Sequence, residues 1–102
     1  MKLTKQEIEV LRSIPFPQIF DAFDFRWKFD TDFKPTKANP KTKRLVIDTD
    51  EGFQFELLVT PPKWYDTRAK KGGGGAIDLV MHLRECSFTK ACEELQKICT
   101  GA

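Results

Sequence analysis

No apolar run in this chain of 102 residues approaches the ~20 residues that a membrane helix requires, so no partner role for a membrane is expected. The start (Met1, Lys2, Leu3, Thr4, Lys5) lacks the apolar core of a secretory signal, which predicts a cytoplasmic protein. Three cysteines, an odd number in a chain without such a signal, read as reduced thiols rather than as a disulfide framework. There is neither cysteine nor histidine before His82, so four converging N or S ligands cannot be assembled there, and neither a metal nor another cofactor is expected. No Ser, His and Asp set suggests nucleophilic chemistry either, and the chain is not read as an enzyme.

What is present is ordinary for a globular protein: 40% hydrophobic and 31% charged residues, enough for one core in a single domain over 1–102. Thr4 with Glu7 forms a capping box ahead of Ile8, Leu11 and Ile14, a short helix that Pro15 and Pro17 end. Pro17 suits the first turn of a second short helix through Ala22. From Phe25 the period changes to two, with Phe25, Trp27 and Phe29 alternating with charged residues. Phe33 to Thr42, with Pro35, Asn39 and Pro40, predicts an extended loop. Leu45–Ile47 and the alternating run Phe53 to Thr60 form a hairpin about Asp50, Glu51 and Gly52. Pro61 and Pro62 interrupt the ladder, and Trp64 and Tyr65 start a further short strand. Ala76 to Glu85 reads as a core helix, and Ser87 caps a last helix that Gly101 stops.

The net charge is only +2, but its distribution is uneven. Lys34, Lys37, Lys41, Lys43 and Arg44 form one window without an acid. Lys63, Arg68, Lys70 and Lys71 form a second, with Asp66 alone against them. If both windows share a face, they make a cationic stripe, which suits a polyanion. Trp64 and Tyr65 sit inside the second window and offer stacking surface, although adjacent strand residues point to opposite faces and at most one of them should be buried.

Gly72 to Gly75 lead into the apolar helix, and a helix start behind a cationic loop is a place for a phosphate. No Lys-Ser or Lys-Thr follows the glycines, so a nucleotide-type phosphate loop is not expected. Asp78 and His82, four apart, read as a helix-stabilising contact. Cys92 and Cys99 read as core thiols. Asp21, Asp24, Asp30 and Asp32 read as a solvated surface.

The stretch Trp64 to Leu95, with Trp64, Tyr65, Gly72 to Gly75, Ile77, Asp78, Ser87, Phe88, Ala91, Glu94 and Leu95 at its marked positions, resembles the end of the zinc-binding domain of bacterial DnaG-type primases. It is also similar to relatives in replication and mobilisation proteins of mobile elements. That family holds zinc with a Cys-x2-His and a Cys-x2-Cys pair. Where the second pair belongs, this chain has Asp66, Thr67, Arg68, Ala69, Lys70 and Lys71. The resemblance covers roughly the last 40 residues and implies a zinc-ribbon-like unit without zinc; with the elements read above, the expected fold is an α+β domain, a three- or four-stranded antiparallel sheet on C-terminal helices with the N-terminal helices at one edge. The resemblance also implies single-stranded DNA binding in replication or transfer, alongside a primase, helicase or polymerase partner. The other reading left open is a protein-interaction module that docks on a helicase, polymerase or relaxase.

Overall fold

The computed structural model describes residues 3–35, 37–38, 40–49, 52 and 54–100, with the backbone alone at 100. Met1, Lys2, Asn39, Asp50, Glu51, Phe53 and Gly101, which figure in the expectations above, lie outside those residues. The elements run α1 (Lys5–Arg12), α2 (Phe16–Ala22), β1 (Arg26–Phe29), β2 (Lys43–Asp48), β3 (Gln54–Thr60), β4 (Lys63–Asp66), β5 (Lys71–Gly73), α3 (Ala76–Arg84) and α4 (Phe88–Thr100).

The local signals act as their chemistry dictates. The Thr4 hydroxyl accepts from the Glu7 amide at 3.1 Å, and the Glu7 carboxylate accepts from the Thr4 amide at 3.4 Å, closing the capping box. Ser87 Oγ accepts from the Lys90 amide at 3.2 Å and starts α4. Gly52 adopts φ +86 after β2, a backbone region that side chains disfavour. Pro61 and Pro62 form the two-residue turn between β3 and β4.

The strands form one antiparallel sheet in the order β1-β2-β3-β4-β5. The fold is α+β as expected, with five strands where three or four were expected. The additional strand is Lys71–Gly73, which the glycine content marks as a turn. Close approach explains the glycines better than flexibility does. A Cβ at Gly73 would lie 2.8 Å from Trp64 Cζ2 and 2.8 Å from Asp78 Cβ, and one at Gly72 would lie 2.7 Å from the Trp64 carbonyl oxygen. Only glycine lets β5 pair this tightly with β4 over the indole.

Register sets which face each side chain takes. Leu45 opposes Leu57, and Val59 opposes Trp64, so these residues share the inner face with Ile47. They join Ile19, Phe20, Ile77, Leu79, Val80, Ala91, Cys92 and Leu95 in one buried cluster. The helices are thus on the inner side: α1 packs on α3 and α4, and α2 meets β1 at the sheet edge.

Candidate nucleic-acid interface

The other face of the sheet carries the candidate residues. Arg44, Leu58, Tyr65 and Gly72 oppose one another across β2 to β5 and form one row, and Thr60 and Lys63 form part of the next. Tyr65 is 43% exposed here. Trp64, its neighbour, is 4% exposed and belongs to the core. The alternation expected of a strand therefore holds, and Trp64 is corrected from candidate contact to core residue: its ring faces the helices and is closed to a base.

The first basic window meets the second at this face. A shallow groove is lined by Phe33 and Thr42 from the 33–42 loop and by Leu58, Thr60, Lys63, Tyr65, Gly73 and the edge of the buried Trp64 from the sheet. The hydroxyls of Thr42 and Thr60 lie 2.6 Å apart and tie the loop's end to β3. Lys34 and Lys37 are exposed on that loop, Lys63 on β4 beside Tyr65, and Lys70 in the 67–70 turn, whereas Lys71, also exposed, opposes Asp66 and so takes the inner-face parity at the edge strand. Lys43 shares the inner-face parity of Leu45 and places its ammonium 4.9 Å from the Phe29 ring centroid at the end of the sheet. The 33–42 loop and β4 thus meet at this groove, whose charged lining residue is Lys63, while Lys41 and Lys43 are turned towards the sheet's end.

Two arginines of the candidate set are already paired. Arg44 reaches Asp30 and Glu56, each at 2.6 Å, and Arg68 reaches Glu56 at 2.8 Å. The Asp32 amide and the Arg44 guanidinium hold the Asp30 carboxyl below its ordinary range, and Arg44, then Arg68, do the same for Glu56. The Glu56 and Asp30 contacts in turn raise Arg44. A phosphate would have to displace carboxylates to use Arg44, whereas Arg68, 54% exposed, shares its charge with Glu56 through one nitrogen, so the less shielded positive charge lies in the lysines. Asp30 is thereby corrected from a solvated carboxylate to a bridge, and Asp21 accepts from Trp27 Nε1 at 2.9 Å.

The glycine-rich helix start is not a phosphate cradle. Asp78 lies in the first turn of α3, and its carboxylate accepts from the Gly74 amide at 3.3 Å, which places a negative charge where a phosphate would sit. Gly75 is buried against the Arg12 backbone. His82 does not contact Asp78 but lies 2.7 Å, through Nε2, from Asp66 of β4. Cys92 is buried as expected, whereas Cys99 is exposed at a groove between α1 and α4.

Asp66 is the residue whose part was not read from sequence. At 2% exposure it is the buried charged residue among the described residues. Its Oδ1 accepts from the Arg68 and Ala69 amides at 2.9 and 3.0 Å, two and three residues on, while Oδ2 faces His82. One carboxylate thus organises the 67–70 turn and ties β4 to α3. A lone acid in a basic window, two residues before a turn, was the available signal. Burial pushes the Asp66 carboxyl up, but the His82 contact and the two amides outweigh it and bring it below its ordinary 3.8. A group lowered on folding contributes stability above its unfolded value and loses it as pH falls further. Urea unfolding should therefore show stability falling once pH drops below 3.8, with a shallower fall in Asp66→Asn.

Comparison with known proteins adds one distant likeness. The chain is 28% identical over 82 residues, 80% of its length, to the 65 kDa protein of Zymomonas mobilis. The match spans 12% of that protein's length. No family model and no solved structure matches the chain. Among the described residues no group of histidine, cysteine and carboxylate side chains could hold a metal ion, and no helix is long and apolar enough to cross a membrane.

Proposed function

We propose that this chain binds single-stranded DNA on the outer face of its sheet, as a zinc-less relative of the primase zinc-binding domain, in the replication or transfer of a mobile element. The observation that carries the reading is the meeting of the 33–42 loop with β4 at a groove where Tyr65 is the exposed ring and Lys63 the charged lining residue. Lys63 and Lys70 would follow the phosphates, Lys71 would reach the strand only around the sheet edge, Lys34 and Lys37 would close on it from the loop, and a base would stack on Tyr65. Such stacking is worth about 1–3 kcal/mol per base and requires no particular sequence. Asp66 with its turn and His82 does the structural work that a metal does in the zinc-binding relatives.

Fluorescence anisotropy with labelled single-stranded and duplex oligonucleotides tests the reading. The single strand should bind more tightly than the duplex. Joint reversal of Lys63, Lys70 and Lys71 to Glu should weaken single-strand binding by at least about tenfold at low salt. These lysines are exposed and outside the Arg44 network; because Lys71 opposes Asp66, the K63E/K70E pair serves as the control whose circular dichroism should be unchanged. Equal binding by the reversed variant would refute the site, and tighter duplex binding would refute the ligand.

A further inference from the structure

At the end of the sheet away from Asp66, a second groove of about 570 Å³ opens between the α1–α2 connection and the β3–β4 turn. Phe16, Leu45 and Val59 form its floor, all buried members of the core. Its walls include Pro15, Pro61 and Pro62, residues with little conformational freedom to lose when something docks. Phe29, 42% exposed, completes the apolar surface.

The rim has one sign of charge. Arg12, Lys41 and Lys43 line the groove and no carboxylate does. Arg12 is satisfied by Glu9 at 3.0 Å, which leaves Lys41 and Lys43 as its main positive charges. An apolar floor beneath cations selects an occupant with both characters. A nucleobase suits it poorly, because its polar edge would meet a floor of Phe, Leu and Val without hydrogen-bond partners. The nearby Ser13 hydroxyl already donates to the Glu9 carbonyl at 2.8 Å.

We propose that this groove docks an acidic linear segment of a partner protein, which inserts an aromatic or branched aliphatic side chain over Phe16 and Val59 and sets its carboxylates against Lys41 and Lys43. The volume accommodates such an anchor together with adjoining backbone. This is a protein-docking role, separate from the outer face of the sheet, and it assigns Lys41 and Lys43 to the peptide.

The test uses a short labelled peptide of Glu and Asp with a central Phe-Leu pair, its Ser-Ser counterpart, and oligo(dT) as competitor. The Phe-Leu peptide should bind at least about tenfold more tightly than the Ser-Ser peptide. The K41E/K43E variant should lose it, and Phe29→Ala should weaken it; if Phe29→Ala fails to fold, the charge variant decides. Equal binding of the two peptides, or binding unchanged in K41E/K43E, would overturn the proposal. The same holds if oligo(dT) displaces the peptide from the variant with Lys63, Lys70 and Lys71 reversed to Glu, because the groove would then be a nucleic-acid site. A wild type that binds the peptide but not oligo(dT) refutes the DNA reading alone.

Discussion

Trp64→Ala should lower unfolding stability by about 3–5 kcal/mol, the cost of emptying a large aromatic site in a packed interior. The indole is the largest side chain that β4 contributes to the core, lies 5.0 Å from the His82 ring between centroids, and is covered by Gly73. A domain of this size has about 5–15 kcal/mol in total, so the variant should be partly unfolded at modest urea concentrations. Trp64→Phe should cost much less. Trp64 Nε1 is buried without a hydrogen-bond partner among the described residues, and phenylalanine removes that donor while keeping most of the ring. Gly73→Ala should also destabilise, by about 1–3 kcal/mol, because the new Cβ presses on the same indole. Urea midpoints for the three variants check the ranking. A Trp64→Ala midpoint close to wild type would mean that the β4–β5 ribbon is not anchored through this ring.

Asp66→Ala should cost about 2–4 kcal/mol, since it removes the acceptor of two backbone amides and leaves the 89% covered His82 side chain without its partner. Asp66→Asn should cost less. Its carbonyl oxygen still accepts from the Arg68 and Ala69 amides, while the charge facing His82 is gone. Amide hydrogen exchange gives a second reading of the same change: the Arg68 and Ala69 amides should lose protection in Asp66→Ala and keep it in Asp66→Asn. If all three proteins unfold alike, the carboxylate does not hold the turn.

Much of the architecture is legible in the sequence because its signals are local. The capping box at Thr4, the period-two runs at Trp27 and Leu57, the paired prolines and the Ser87 cap each act within a few residues. Two features depend on distant partners and are not legible in this way. Lys71–Gly73 is a strand because Trp64 requires glycine above it, a relation visible only after the two strands pair. His82 faces Asp66, sixteen residues away, and not Asp78 on its own helix. The site divides along the same line. Clustering of lysines is a property of the sequence, but the pairing of Arg44 and Arg68 with Glu56 comes from the sheet register, which places Val46 opposite Glu56 and Arg44 two residues along β2 on the same face. The adjacent pair Trp64 and Tyr65 offered two rings, and the strand turned one of them into the core.

The most direct test of single-stranded DNA binding on the Tyr65 face is a salt series of oligo(dT) anisotropy on the wild type and on Tyr65→Ala. The wild-type affinity should fall linearly in log–log form by about 0.7 per phosphate contacted. Tyr65→Ala should keep that slope and lie lower by about one to two orders of magnitude, because it removes stacking and no charge. A wild type that ignores salt, or a Tyr65→Ala line superimposed on it, would contradict the account.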